Sequence, residues 1–243
     1  MKKIQMIAMA ILMIASSLSA SAQDLNEIVK KHIEAIGGVE NWKKVNSMTS
    51  DITSKMQGVE IKVQINQLQK KGMRVDFNVA GKTGYTIITE KEGWNMNPFM
   101  GHTKPEPVTA EQLKSAIEDL DIMDEFMVYK DYGRKIDNLG SDEVEGTDCY
   151  KIAIANAKGK TNTYFIDKSN NHIIKKTSKE VVDGKESEMS VTYSNYKKLD
   201  GAGIVIPMAQ SGDMGEMEYN KVEVNKINDM SLFQAKELVE VKK

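Results

Sequence analysis

Residues Thr163–Pro207 carry four apolar runs: Thr-Tyr-Phe-Ile-Asp at 163–167, His-Ile-Ile-Lys-Lys at 172–176, Ser-Val-Thr-Tyr-Ser-Asn-Tyr at 190–196, and Asp-Gly-Ala-Gly-Ile-Val-Ile-Pro at 200–207. Polar turns separate them, and Asp183-Gly184 suits a tight hairpin turn in which both central residues need positive φ. Strands joined by such short connections pair antiparallel with their neighbours. This meander sets the fold class: α+β, mostly β, built on a strongly curved antiparallel sheet. Lys175–Lys185 is polar on both faces, which suits a sheet rim, so only Tyr164–Ile166 and Met189–Tyr193 are expected to meet an interior.

The same pattern extends in both directions. Downstream, Met217–Val224 reads as a strand. Upstream, Lys135–Leu139, Asp148–Asn156 and Lys160–Asp167 read as strands, with turns at Glu145-Gly146 and Lys158-Gly159. Earlier still, strands begin near Met48, with turns at Gln57-Gly58, Lys70-Lys71-Gly72 and Ala80–Gly84. Ile61, Val63 and Ile65 share one strand face, as do Met73, Val75 and Phe77, since side chains alternate with period two.

Two helical segments break the meander. Asp24-Leu25-Asn26-Glu27 is a capping-box pattern opening a helix whose apolar positions include Ile28, Ile33 and Ile36, stopped by Gly37-Gly38. His32 lies on that face and has no second ligand nearby. A short turn at Glu40–Val45 follows, with Trp42 as a packing anchor. After a Pro-containing extended loop at Gly101–Val108, Thr109-Ala110-Glu111-Gln112 is a second capping box. It starts an amphipathic insert, Leu113–Tyr129, whose apolar face must be buried for so short a helix to be stable.

The N-terminus reads as an export signal. Lys2-Lys3 precedes an apolar run, Ile4–Ala15, and a small-residue cleavage site, Ala20-Ser21-Ala22. Residues 1–22 are therefore a signal peptide, and 23–243 a single domain delivered to the periplasm. No cysteine follows the apolar run to accept a lipid anchor. Loss of a leader with two lysines and no acid takes the formal net charge from −2 to −4, a balance unsuited to nucleic acid. The one cysteine, Cys149, permits no internal disulfide and reads as a buried thiol in a strand.

Little points to catalysis. His32, His102 and His172 are scattered, and no metal-ligand spacing, nucleophile elbow or phosphate loop is present. No catalytic residue, metal site or cofactor is expected. Only two of the 33 basic residues are arginines, Arg74 and Arg134, which weakens the case for a site that grips phosphate or carboxylate. Sixteen methionines suit either an adaptable apolar cavity or an irregular core.

Taken in order, several features resemble the periplasmic outer-membrane lipoprotein carrier and sorting (LolA-like) superfamily, in its broad secreted branch. They are Ile36-Gly37-Gly38, Glu92-Gly93-Trp94 with Pro98, the Leu113–Tyr129 insert, Val144-Glu145-Gly146 with Tyr150-Lys151-Ile152, and Tyr164-Phe165-Ile166-Asp167. Tyr193-Ser194-Asn195-Tyr196, Gly203–Pro207 and Asp229–Phe233 complete the order. The resemblance implies an unclosed β-barrel with helices covering its concave face and a cavity for acyl chains of lipids or lipoproteins. It supplies no catalytic residue. Where those carriers favour Arg and Pro at the start of the third strand, this chain has Lys70-Lys71-Gly72-Met73, so no cargo-release residue is carried over.

On this reading the chain is a non-catalytic carrier, with lipid or lipoprotein acyl chains as partners. The expected cavity residues are Met73, Val75, Phe77, Ile87, Trp94, Leu113, Ile117, Leu120, Phe126, Ile166, Val191 and Tyr193. Each could instead be ordinary core. The alternative function is an envelope scaffolding module with a packed interior and envelope proteins as partners; an enzyme ranks below both.

Overall fold

Antiparallel hairpins generate nearly all of the structure. The computed structural model describes residues 25–156, 160–182, 185–213 and 215–235. Residues 1–22, read above as a signal peptide, Asp24, and the Lys158-Gly159 and Asp183-Gly184 turns lie outside the described residues. The outgoing strands are β1 (Ser47–Met56), β2 (Val59–Leu68), β3 (Gly72–Val79), β4 (Lys82–Thr89), β5 (Gly93–Met96) and β6 (Glu106–Pro107). The returning strands are β7 (Lys135–Val144), β8 (Thr147–Ala155), β9 (Thr161–Asp167), β10 (Ile173–Val182), β11 (Lys185–Lys198), β12 (Val205–Gly212) and β13 (Gly215–Val224). Their hydrogen-bond order is β6-β5-β4-β3-β2-β1-β13-β12-β11-β10-β9-β8-β7. One antiparallel sheet of 13 strands results, with β6 and β7 as edges that do not pair with each other. The fold is mostly β and unclosed.

Helices are few: residues 25–35 (α1), Val39–Trp42 (α2), Ala110–Ala116 (α3) and Glu125–Val128 (α4), with 3-10 turns at Pro98–Met100, Ile117–Leu120 and Ser231–Phe233. Ile28, His32 and Ile36 form the buried stripe of α1 at four-residue spacing. Its last carbonyls are closed by Gly37 and Gly38, both at positive φ, with the Gly38 N–H donating to Ile33 O at 2.8 Å.

Several boundaries differ from the sequence reading. The Ala80–Gly84 turn is only Ala80-Gly81, and Gly84 lies within β4. The 101–108 loop contributes β6, whose Glu106 and Pro107 pair with Asn95 and Trp94; a proline is tolerated there because the strand is an edge. β7 continues past Leu139 to Val144 because an irregularity at Leu139-Gly140, with Gly140 at φ 93°, lets pairing resume at Ser141. The insert helix tightens to a 3-10 turn at Ile117, and Met189, expected to meet the interior, is 40% exposed.

The chain divides into two compact units. The first contains residues up to Gly38 and Glu125–Thr192. The second contains Val39–Asp124 and residues from Tyr193 onward.

In the first unit, β7–β10 carry a buried core that includes Ile152, Ile154 and Ile166. Phe126 of α4 packs edge-on between His32 (ring centroids 5.0 Å apart) and Tyr164 (4.9 Å). His32 Nδ1 lies 2.8 Å from Asn171 O, tying α1 to the β9–β10 turn. Cys149 is fully buried in β8, and burial pushes its thiol pKa up, which leaves a poor nucleophile.

In the second unit, β1 closes onto β13 with Met48 opposite Val224. One face of β2–β5 is closed at its apolar end. Leu68, Tyr85, Ile87 and Met96 are buried against Ile227 and Phe233 from the C-terminal segment, with Trp94 packed beside them. Gly72 makes room for this: a Cβ there would lie 2.8 Å from Phe233 Cγ. Arg74 holds the same face, donating to both Asp76 oxygens and to Leu232 O while its guanidinium sits 4.5 Å above the Tyr85 ring.

Candidate functional site

The other face of these same strands differs in kind. Registry places Ile61 opposite Val79, Val63 opposite Phe77, Ile65 opposite Val75 and Gln67 opposite Met73. On the β1 side Ile52 faces Val63; on the β4 side Met73 faces Ile88, Val75 faces Thr86 and Phe77 faces Gly84. Alternation therefore gathers Ile61, Val63, Ile65, Met73, Val75, Phe77 and Val79 onto one surface. Ile52 and Ile88 are buried at its flanks, yet all seven central side chains are only half-buried.

A strand face so rich in Ile, Val and Phe ordinarily seals, because each Å² of apolar area taken from water is worth about 25 cal/mol. The opposite face, with polar Gln64, Asn66, Arg74 and Asp76 among its residues, is the one closed at its apolar end. The β2–β3 face is thus a contiguous apolar surface left part-open.

Gly84 shapes this surface. A Cβ at that position would come within 2.2 Å of Phe77 Cζ and 2.6 Å of Met96 O. The bare backbone of β4 lets the Phe77 ring lie across it.

The helical insert is fastened to one end of the surface. Thr109 caps α3 with both halves of the capping box, its hydroxyl accepting from Gln112 N and Gln112 Oε1 accepting from Thr109 N. Just before it, Val108 N donates to Gly93 O at 3.0 Å, and a Cβ on Gly93 would meet Val108 Cγ2 at 2.4 Å and Ile88 Cδ1 at 2.9 Å. After the 3-10 turn, Lys70 N donates to Leu120 O (2.9 Å), Gln67 Nε2 to Asp119 O (3.3 Å) and Gln69 Nε2 to Asp121 Oδ1 (2.7 Å). Ile122 N donates back to Gln69 Oε1 at 2.7 Å, and Lys70 Nζ stands 3.3 Å from the Asp121 carboxylate. The segment from Val108 to Ile122 is thus held at both ends where β2, β3, β4 and β5 meet their turns. Leu120 is buried, Leu113 half-buried and Ile117 exposed.

The twelve expected cavity residues fall into separate groups. Met73, Val75 and Phe77 share the part-open face, and Leu113, Ile117 and Leu120 lie on the insert fastened at its end. Ile87 and Trp94 point to the opposite, sealed face, because Ile87 pairs with Arg74 and Trp94. Phe126 and Ile166 are packed in the first unit's core, where Val191 is half-buried; Tyr193 is half-buried in the second unit. Sequence reading placed Ile61, Val63 and Ile65 on one face but did not count them as site residues. Their alternation was visible, whereas the registry that sets them beside β3 was not.

A polar cluster in the first unit was also missed. Glu125 of α4 accepts from Arg134, from Tyr164 OH and from Asn162 Nδ2 (2.8 Å), and Asn162 Oδ1 accepts from Ser178 Oγ (2.9 Å). Its members are largely buried and mutually satisfied, so it ties α4 to β9 and offers no reacting group. Both arginines of the chain are thereby engaged by carboxylates, Arg74 by Asp76 and Arg134 by Glu125. Among the described residues no group of three or more His, Cys, Asp or Glu is arranged to hold a metal ion.

No protein-family model matches the sequence, and no curated protein matches it. Solved structures do. A LolA superfamily protein from Nitrosomonas europaea aligns at TM-score 0.56 and 13% identity, over 86% of this chain and 96% of that one. A domain assigned to outer membrane lipoprotein sorting from Vibrio parahaemolyticus aligns at 0.55 and 12%, over 85% and 94%. A DUF1329-family protein from Desulfovibrio piger aligns at 0.54 and 11%, over 86% and 96%. The chain has a LolA-like fold.

Proposed function

We propose that this chain is an exported, non-catalytic carrier or binding protein that holds an acyl-chain-bearing lipid or lipoprotein against the part-open face of β1–β4. The observation that carries this reading is the contrast between two faces of the same strands. One is sealed by Phe233 and Ile227, whereas Ile61, Val63, Ile65, Met73, Val75 and Phe77 stay half-buried. An apolar surface with no charged side chain among these six suits a hydrocarbon chain, whose binding is driven by area and not by directed bonds. The α3 insert, fastened at one end of this face, would cover the deep end of the bound acyl chain. In this reading Ile87 and Trp94 belong to the sealed core, and Ile61, Val63 and Ile65 join the binding set. Residues 1–22, as a leader, would deliver residues 23–243 to the periplasm as one functional domain.

Native mass spectrometry of the protein purified from cell envelopes tests this. Extra mass matching acyl lipid, released by organic solvent, is the expected result. Protein that arrives without lipid and takes up none on incubation with phospholipid or fatty acid would overturn it.

A further inference from the structure

The part-open face runs out to one edge of the second unit, and that edge is unusual. Ile61 pairs with Val79, and the face ends at Met56 opposite Val59, which are 40% and 47% exposed. The β1–β2 and β3–β4 turns and the connection leaving β5 all lie at this end, since antiparallel strands alternate direction. The last of these presents Phe99 and Met100, 53% and 66% exposed.

Their presentation is stiff. Asn97 caps the 3-10 turn by accepting from Phe99 N at 3.0 Å, Met100 N and His102 N donate to Asn97 O, and Asn97 N donates to His102 Nδ1 at 3.3 Å. Two large apolar side chains are thus held outward on a turn with its own hydrogen bonds satisfied.

Lysines share this end of the unit. Lys82 Nζ, at the start of β4, lies 5.6 Å from the Phe99 ring centroid; Lys62 is exposed within β2, and Lys104 is exposed on the connection leaving β5. Across 55–62, 79–82 and 97–106 the acids are Glu60 and Glu106, the latter 3.4 Å from His102 Nε2, and Lys62, Lys82 and Lys104 are in no ion pair among the described residues. Lys55 faces Glu216 across β1–β13. The turns at the other end, 69–71 and 90–92, contain no large apolar residue at all.

We infer that this edge docks on an anionic lipid bilayer. Met56, Val59, Phe99 and Met100 enter the headgroup–acyl boundary, and Lys62, Lys82 and Lys104 lie against lipid phosphates. Apolar tips accompanied by lysines match such a surface in both respects, since interfacial binding adds buried apolar area to attraction for anionic lipid. A protein partner would need a pocket for each convex tip; a bilayer needs none. The inference goes beyond the binding reading, because docking requires no occupied face.

The test is co-sedimentation of the processed protein, residues 23–243, with phosphatidylglycerol/phosphatidylcholine vesicles and with phosphatidylcholine alone. Binding to the anionic vesicles, weakened by salt and reduced at least about tenfold in the Phe99→Ser/Met100→Ser double variant, is the expected result. In a Phe99→Cys variant carrying an environment-sensitive dye, emission should shift to the blue on vesicle addition; Cys149 is buried and stays unlabelled. Equal melting temperatures will show that the exposed substitutions leave the fold intact. No binding to anionic vesicles, binding that survives the double variant, or concentration-dependent self-association abolished by it without vesicle binding would each overturn the inference. Lipid retention in mass spectrometry is unaffected by any of these outcomes.

Discussion

Phe77 lies across Gly84: any side chain at position 84 would begin 2.2 Å from the ring's Cζ. The contact couples a glycine inside a strand to the one aromatic ring on the part-open face, and it explains why β4 carries a residue that strands otherwise avoid.

Gly84→Ala should therefore destabilise the protein by about 1–3 kcal/mol through overpacking. Denaturant unfolding will measure it. In a Phe77→Ala background the cost should shrink without vanishing, because Met96 O also crowds the site; a double-mutant cycle isolates the coupling.

The two sheet faces should respond differently to truncation. Phe233→Ala empties a sealed core, with Phe233 2% exposed, and should cost about 3–5 kcal/mol. Val75→Ala removes part of a half-buried side chain and should cost about 1 kcal/mol or less. Equal costs would mean that the β3 face is as closed as its opposite.

Glu125→Ala deletes the acceptor shared by Arg134, Tyr164 and Asn162. Largely buried charge-assisted bonds are strong, and their donors remain behind, so a loss of about 3 kcal/mol is expected. Thermal melts and proteolysis between α4 and β7 will report it.

Stability should fall in mild acid. Burial lowers the pKa of His172, reinforced by neighbouring His32 and opposed by the Ala35 backbone and Asp167. The folded state thus resists a proton that the unfolded chain accepts near pH ~6.5. Stability is fully present above that pH and declines as pH drops through 6.5 toward the folded pKa. His172→Gln should flatten this slope between pH 7.5 and 5.5 in denaturant titrations.

Much of the fold was legible because local chemistry wrote it. The Thr109–Gln112 capping box, the Gly37-Gly38 stop and the turns at Gln57-Gly58 and Glu145-Gly146 each act within a few residues. The site was only half legible. Met73, Val75 and Phe77 announced a face by alternation, but alternation within β4 and β5 does not say which of their faces adjoins that of β3, so Ile87 and Trp94 could not be assigned to a side without registry. That registry depends on which strand lies next door, and the sealing partners Ile227 and Phe233 lie more than 130 residues downstream. The Glu125 cluster was silent for the same reason, since its members come from three separate segments.

The central claim concerns the β1–β4 face, and uptake of a fluorescent fatty acid tests it most directly. The wild-type protein, Val75→Trp on the part-open face and Ile87→Val on the sealed face should be titrated side by side. The account predicts saturable uptake that Val75→Trp weakens at least about tenfold and Ile87→Val leaves unchanged. No saturable uptake by the wild type, or equal loss in both variants, would contradict it.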